Sequence, residues 1–297
     1  MSVIPIYLNM LQELFLDAIR NKENKLSYIH GKGFERVLAI AKDRWIDYCP
    51  MGTTSKTVGV DSSWNKKSFQ GIDFYVIDSI AIESNNDVSN SISQWDYGVG
   101  NMSGDSLGSR AMRMEIEVAD ISINRKPDII CLDGSLVSNL VHNKSNSYLE
   151  SVKNLVNNMS KTCVIFISKN SSSKNQFGEF GSKAADIYYY NKLGFETGFS
   201  KPLYNNFVSK TLGIIEIYAR LASFVPLIKI EIVGNLDYSI DEIKNLLNGL
   251  YCHSIKGYPY CLKAAHQACK ISNNDVNRLA NLYGFKNEFG SRDSLNE

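Results

Sequence analysis

Two apolar segments of this chain end on an aspartate followed by small residues: Val58-Gly59-Val60-Asp61-Ser62-Ser63 and Ile129-Ile130-Cys131-Leu132-Asp133-Gly134-Ser135. An acid at the carboxyl end of a buried strand is held at the rim of a sheet by a rigid element, and small residues after it leave room for a metal ion and a phosphate. Between the two segments, Glu115 and Glu117 stand beside an apolar stripe of Ala111, Met114, Val118 and Ile121. Carboxylates from two strands and one helix form an oxygen donor set that suits Mg²⁺ or Mn²⁺ and not zinc. Two such ions about 4 Å apart activate a water and stabilise the leaving oxygen in phosphodiester hydrolysis. Each acid also has an ordinary reading, since strand-end aspartates form turns and helix glutamates pair with neighbours such as Arg110 or Arg113. Only the combination points to metal.

Two further groups join the set. Lys169 follows an apolar run in Ile-Ser-Lys-Asn, where its ammonium would meet a phosphate oxygen at the same sheet edge, with a plain surface lysine as the alternative. His266, after Ala264 and Ala265 in a helical pattern, would ligate metal, steer a phosphate or carry a proton near neutral pH, or else be a satisfied core histidine. No phosphate-binding Gly-x-x-x-x-Gly-Lys-Ser/Thr loop, dinucleotide turn, nucleophile elbow or His-Glu-x-x-His helix occurs. Any ATP-driven motor must therefore be another protein.

The elements that must position these residues follow from periodicity. Helical spacing covers residues 6–20 and 33–47, then strand patterns cover 57–64, 72–83 and 88–97, which read as an antiparallel meander. From there helix and strand alternate: helix 106–123, strand 128–132, helix 148–159, strand 162–168 and helix 183–193. Residues 213–221 and 227–233 form a hairpin around Pro226, and the tail is helical. Antiparallel strands followed by alternating strands and helices predict an α/β fold with a mixed sheet flanked by helices. The expected organisation is a single domain over residues 1–297, with its core at about 57–235 and helical extensions at 1–50 and 239–290.

Composition sets the limits. The 297 residues, 44% of them hydrophobic, are ample for a core, and a net charge of +1 gives no bulk attraction to nucleic acid. Phosphate binding must then come from local clusters or ions. No apolar run is long enough to span a bilayer, and residues 4–19 read as an amphipathic helix; its apolar patch near residues 4–15 is expected to pack internally, with packing against another chain as the alternative. Of the six cysteines, Cys131 and Cys163 lie inside strand patterns, so a reducing cytoplasm is the expected setting. Cys252, His253, Cys261, His266 and Cys269 lie close in sequence but lack the paired spacing of structural zinc sites.

Five pieces in order, Val-Gly-Val-Asp61-Ser-Ser, the helix from Arg110 to Glu117, Ile-Cys-Leu-Asp133-Gly-Ser-Leu, Ile-Ser-Lys169 and Gly-Tyr-Pro-Tyr-Cys-Leu-Lys-Ala-Ala-His266, resemble the NurA family of nucleases, which are similar to ribonuclease H in fold. The resemblance implies a manganese- or magnesium-dependent nuclease acting on DNA ends, with two ions per site, 5′ to 3′ exonuclease activity and single-strand endonuclease activity. It also implies a homodimer docked on a HerA-type hexameric ATPase during end processing for recombinational repair. Asp61, Asp133 and Glu115 or Glu117 would hold metal, His266 and Lys169 would touch ions or phosphates, and Arg110, Arg113, Lys169 and Tyr204 would contact DNA. The tyrosine of the family site falls to Tyr204 or to one of Tyr188, Tyr189 and Tyr190. Two rival readings remain open: a silent DNA- or motor-binding subunit, and a ribonuclease H-like enzyme acting on RNA or branched DNA.

Overall fold

The computed structural model describes residues 4–69, 71–84, 91–142, 146–205, 212–234 and 237–285. Three helices, α1 (Ile4–Arg20), α2 (Lys22–Ser27) and α3 (Phe34–Asp43), lead into strand β1 (Trp45–Asp47). The meander follows as β2 (Thr57–Phe69), β3 (Ile72–Glu83) and β4 (Ile92–Val99). Next come α4 (Gly104–Ile123), β5 (Ile129–Asp133), α5 (Leu136–His142), α6 (Asn146–Asn158), β6 (Cys163–Ser168) and α7 (Asp186–Lys192). Four strands, β7 (Gly198–Ser200), β8 (Leu203–Asn205), β9 (Gly213–Arg220) and β10 (Ile228–Gly234), precede α8 (Ile240–Cys252). The chain closes with the two-residue strands β11 (Ser254–Ile255) and β12 (Tyr258–Pro259), then α9 (Tyr260–Ala268) and α10 (Asn273–Leu282).

Ten strands form one mixed sheet in the order β1-β7-β9-β10-β6-β5-β2-β3-β4, with β8 also on β9. The centre is parallel, β2 beside β5 and β5 beside β6, and all flanking pairs are antiparallel. Parallel strands need helices on both faces, and the sequence supplies them. On one face α4 and α6 bury Ile116, Val118, Ala119, Val152 and Leu155 against Val60, Leu132 and Phe166. On the other, α8 sets Ile243, Leu246, Leu247 and Leu250 against Ile165, Ile217 and Ile230, each such side chain contributing about 1.5–3 kcal/mol. The sheet and its flanking helices match the predicted α/β class.

Several local expectations change. The helix expected over 33–47 stops at Asp43, because Trp45, Ile46 and Asp47 pair with Ser200, Phe199 and Gly198 as an edge strand. Helix 183–193 begins only at Asp186, since Ala185 is extended (φ −68°, ψ 155°). The strand expected at 88–97 is found at Ile92–Val99, and residues 85–90 lie outside the described residues. Among the described side chains of α1, Leu11, Leu14, Phe15, Leu16 and Ile19 are all exposed and do not pack internally. No described helix is long and apolar enough to cross a membrane.

Candidate metal centre

Asp61 and Asp133 stand at neighbouring strand positions for a topological reason. β2 and β5 are adjacent and parallel, with Val60 level with Leu132, so both strands deliver their acid to the same rim. After Asp133 the chain turns at Gly134 with φ +97°, a conformation glycine adopts without strain, and the Gly134 amide donates back to Asp133 Oδ1 at 3.1 Å. Asp61 is buried, and its Oδ1 accepts from the Ser62 amide at 2.8 Å.

Helix α4 supplies the third acid. Ser103 caps it by accepting from the Ser106 amide, and the buried face runs through Leu107, Ala111, Met114, Glu115, Val118 and Ala119. Glu115 lies four residues from both Ala111 and Ala119, on the stripe itself, so it is carried into the core face. Its Oε2 accepts from the Ser62 hydroxyl at 2.9 Å, while Oε1 is buried with no hydrogen-bond partner. Glu117 lies off the stripe, half-exposed, and pairs with Arg113 at 3.3 Å. The geometry thus separates the two glutamates: Glu115 reaches the cleft and Glu117 does not.

Helix α9 brings the histidine. It crosses β2 at Gly59, where a Cβ would lie 2.2 Å from the Leu262 nitrogen. That close approach sets His266 Nδ1 at 2.7 Å from Asp61 Oδ2. One ligand atom each from Asp61, Asp133 and His266 lie within 4.8 Å of one another, the spread of a shared metal site. Among the described residues no group containing cysteine is so placed, and all six cysteines are free thiols.

These residues open on a cleft of about 410 Å³ lined by Asp61, Glu115, Asp133, Ser135, Lys169 and Asn170. Lys169 packs its ammonium 4.2 Å from the centre of the Tyr258 ring, and Tyr258 donates to Asp133 Oδ1 at 2.9 Å. Tyr258 thus touches both Asp133 and Lys169. Tyr204 is on β8, outside the cleft, and Tyr188, Tyr189 and Tyr190 are on α7, the last two buried in a separate aromatic cluster with Phe177. The signal for Tyr258 lay in its place one residue before Pro259, at the entry to the histidine helix. Arg110 and Arg113 line a different hollow of about 380 Å³ with Ser106, Ser109 and Tyr148, and Arg110 is bonded to Asp96 and Tyr75.

Electrostatics shows what the cleft favours. Burial, then the like charge of Asp133, raises the Asp61 carboxyl above its usual value against the His266 bond. Glu115 is raised much further, first by burial and then by Asp61. Three crowded acids with one unpartnered buried oxygen favour protons or a cation, and a donor set of three carboxylates and one imidazole fits Mn²⁺ well. The residues present therefore fit a divalent metal.

Known proteins share the sequence pattern and the fold of this chain. The NurA domain family matches residues 55–271. The DNA double-strand break repair nuclease NurA of Sulfurisphaera tokodaii is 25% identical over 92% of this chain and 95% of its own. Its counterpart in Sulfolobus acidocaldarius is 24% identical, covering 93% and 96%. Among solved structures, the NurA nuclease from Sulfolobus solfataricus superposes with a TM-score of 0.71 at 19% identity, covering 93% of this chain and 96% of that one. A NurA structure with manganese gives 0.60 at 12% identity, covering 94% and 98%. Another, bound to dAMP and manganese, gives 0.54 at 10%, covering 96% and 98%.

Proposed function

The chain belongs to the NurA family, and we propose that it is a divalent-metal-dependent nuclease that hydrolyses phosphodiester bonds of DNA. The single observation that carries this reading is the convergence of ligand atoms of Asp61, Asp133 and His266 within 4.8 Å, beside a cleft that Asp61, Asp133 and Glu115 line, with Glu115 Oε1 left without a partner. Asp61, Glu115, Asp133 and His266 are the residues that would hold Mn²⁺ or Mg²⁺. Bound there, such ions would supply a nucleophile at neutral pH and a counter-charge for the developing phosphorane and the departing 3′ oxygen.

The chain's own groups do the rest. Lys169, on the rim beside the acids, neutralises a phosphate oxygen and holds the strand in register. Tyr258 fixes the rotamer of Asp133, and its ring seats the Lys169 ammonium. His266 orients Asp61 through its Nδ1 bond to Asp61 Oδ2. Arg110 and Arg113, with the serines around them, offer a second place for phosphates on the α4 side. The acid cluster favours an active enzyme over a silent subunit, because a buried carboxylate oxygen without a partner is costly unless a cation uses it.

The finer reading follows the family. Relatives are named as double-strand break repair nucleases, and we assign this chain to the same process: a homodimer with two ions per site, acting on DNA ends in the cytoplasm as a 5′ to 3′ exonuclease and single-strand endonuclease, fed by a HerA-type ATPase during recombinational repair. The test is cleavage of labelled single-stranded, duplex, hybrid and branched substrates with Mn²⁺. Wild type is expected to degrade DNA, and Asp133→Asn to be inactive. Full activity in Asp133→Asn refutes the assignment, and cleavage of the hybrid or the branched substrate alone redirects it.

A further inference from the structure

Three charged residues outside the cleft are buried next to it: Glu216 on β9 and Lys229 and Glu231 on β10, each only 1% exposed. Strand register sets Glu231 opposite Glu216, and β10 lies beside β6, so all three sit under the turns that leave β5 and β6. The Lys229 ammonium bonds Glu231 Oε1 at 2.6 Å and also pairs with Glu216. Burial alone would lower the Lys229 ammonium, but the two carboxylates outweigh it and hold it above its ordinary value.

Each carboxylate then reaches out of this layer to a loop of the site. Glu231 Oε1 accepts from the Ser135 hydroxyl at 2.6 Å, and Oε2 accepts from the Val137 amide at 3.0 Å. Those donors lie two and four residues after Asp133. Ser135 Oγ in turn accepts from the Ser138 amide at 3.2 Å, closing the turn into α5. At the other end, Glu216 Oε1 accepts from Asn175 at 2.7 Å and Asn205 at 2.6 Å, and Asn175 belongs to the loop that begins with Lys169.

We propose that the Glu216–Lys229–Glu231 layer is a positioning brace, in which Glu231 holds the Asp133 turn through Ser135 and Val137 and so sets the affinity of the cleft for its metal. The inference rests on the nuclease reading for its consequence but can be read from metal binding alone. A carboxylate is required at 231 because its two oxygens serve three donors. The isosteric amide presents hydrogens to the Lys229 ammonium or the Val137 amide and leaves a donor facing a donor. Groups that orient ligands in this way typically change metal affinity 10–100-fold when altered.

The experiment titrates Mn²⁺ into the full chain by calorimetry and measures the Mn²⁺ concentration for half-maximal DNA cleavage in parallel. Ser135→Ala, a small change at a half-buried site, and Glu231→Gln are each expected to weaken Mn²⁺ binding at least tenfold. The double variant should lose less than the sum of the two single losses, because both loosen the same Asp133 turn. Ser135→Thr, which keeps the hydroxyl, should restore most of the affinity. Thr162→Ala, which removes a buried hydroxyl bonded to the Pro127 carbonyl, should lower the melting temperature without moving Mn²⁺ affinity. Wild-type affinity in folded Ser135→Ala overturns the brace, even if Glu231→Gln fails to fold. A wild type that binds Mn²⁺ but cuts no DNA overturns the nuclease reading alone, and one that binds no Mn²⁺ overturns both.

Discussion

Gly59→Ala would separate His266 from Asp61 without touching either residue. A Cβ at position 59 would lie 2.2 Å from the Leu262 nitrogen, 2.3 Å from the Cys261 carbonyl carbon and 2.5 Å from its oxygen. All three are backbone atoms at the start of α9, so no side chain can rotate away. Ordinary contact begins at 3.4 Å, and α9 must therefore shift from β2 by about 1.2 Å. The His266–Asp61 bond is 2.7 Å, and a shift of that size takes it beyond hydrogen-bond range. A misplacement of ~1 Å at a reacting centre costs on the order of 10²-fold in rate. Overpacking of this kind costs about 1–3 kcal/mol of stability, or several degrees of melting temperature at roughly 2–4 °C per kcal/mol.

The assay is Mn²⁺-dependent cleavage of a labelled oligonucleotide beside a thermal melt. Gly178→Ala is the control, since its new Cβ meets nothing closer than Lys174 Cβ at 3.6 Å. The expected result is a loss of about 10²-fold in kcat for Gly59→Ala and none for the control. Wild-type kcat and melting temperature in Gly59→Ala would refute the claim that direct backbone contact between β2 and α9 sets the site.

Other outcomes follow from the same geometry. Glu115→Gln should abolish cleavage and Mn²⁺-induced thermal stabilisation, whereas Glu117→Gln, losing only an exposed pair with Arg113 worth about 0.3–0.5 kcal/mol, should keep both. Tyr258→Phe removes the donor to Asp133 but keeps the ring under Lys169, so activity should fall about tenfold, and Tyr258→Leu, which loses both, should fall further in the same assay. Chelation by EDTA should stop cleavage and lower the melting temperature of wild type but leave that of an Asp61→Asn, Asp133→Asn double variant unchanged. Burial pushes Asp186 up to about 6 from 3.8, so the unfolded chain releases that proton first. Its contribution is full below pH 4, is lost as pH rises to 6 and is flat above, a span of about 3 kcal/mol at most that Asp186→Asn should remove from a urea-melt pH series.

The sequence revealed most where one local rule decides the outcome. Apolar runs ending on Asp61 and Asp133 are strands ending at a rim because burial and small-residue turns act within a few residues. The stripe of α4 already contained the answer for Glu115, whose spacing of four from Ala111 and Ala119 places it inward. What could not be read was adjacency. Trp45-Ile46-Asp47 continues a helical pattern until β7 offers it an edge, and Tyr258 looks like one tyrosine among sixteen until α9 lies across β2. Nor can periodicity show that Leu11, Leu14, Phe15, Leu16 and Ile19 of α1 are left exposed.

The buried brace shows why alternation misleads in a large mixed sheet. Ile-Ile-Glu216-Ile-Tyr218 and Ile228-Lys229-Ile-Glu231-Ile alternate apolar and polar, which ordinarily means one face in water. In the fold both faces of β9 and β10 are covered, and every one of these charges is buried. A charged layer in such a place has a cost, because desolvation of three ions is only partly offset by their mutual attraction. Apolar residues of similar volume would serve stability as well or better, so selection for packing alone does not explain Glu216, Lys229 and Glu231. Their outward bonds do: one carboxylate ends on the Asp133 turn and the other on the Lys169 loop. In the proposed brace each buried carboxylate ties a rigid strand to a loop that the nuclease reading assigns to metal or phosphate.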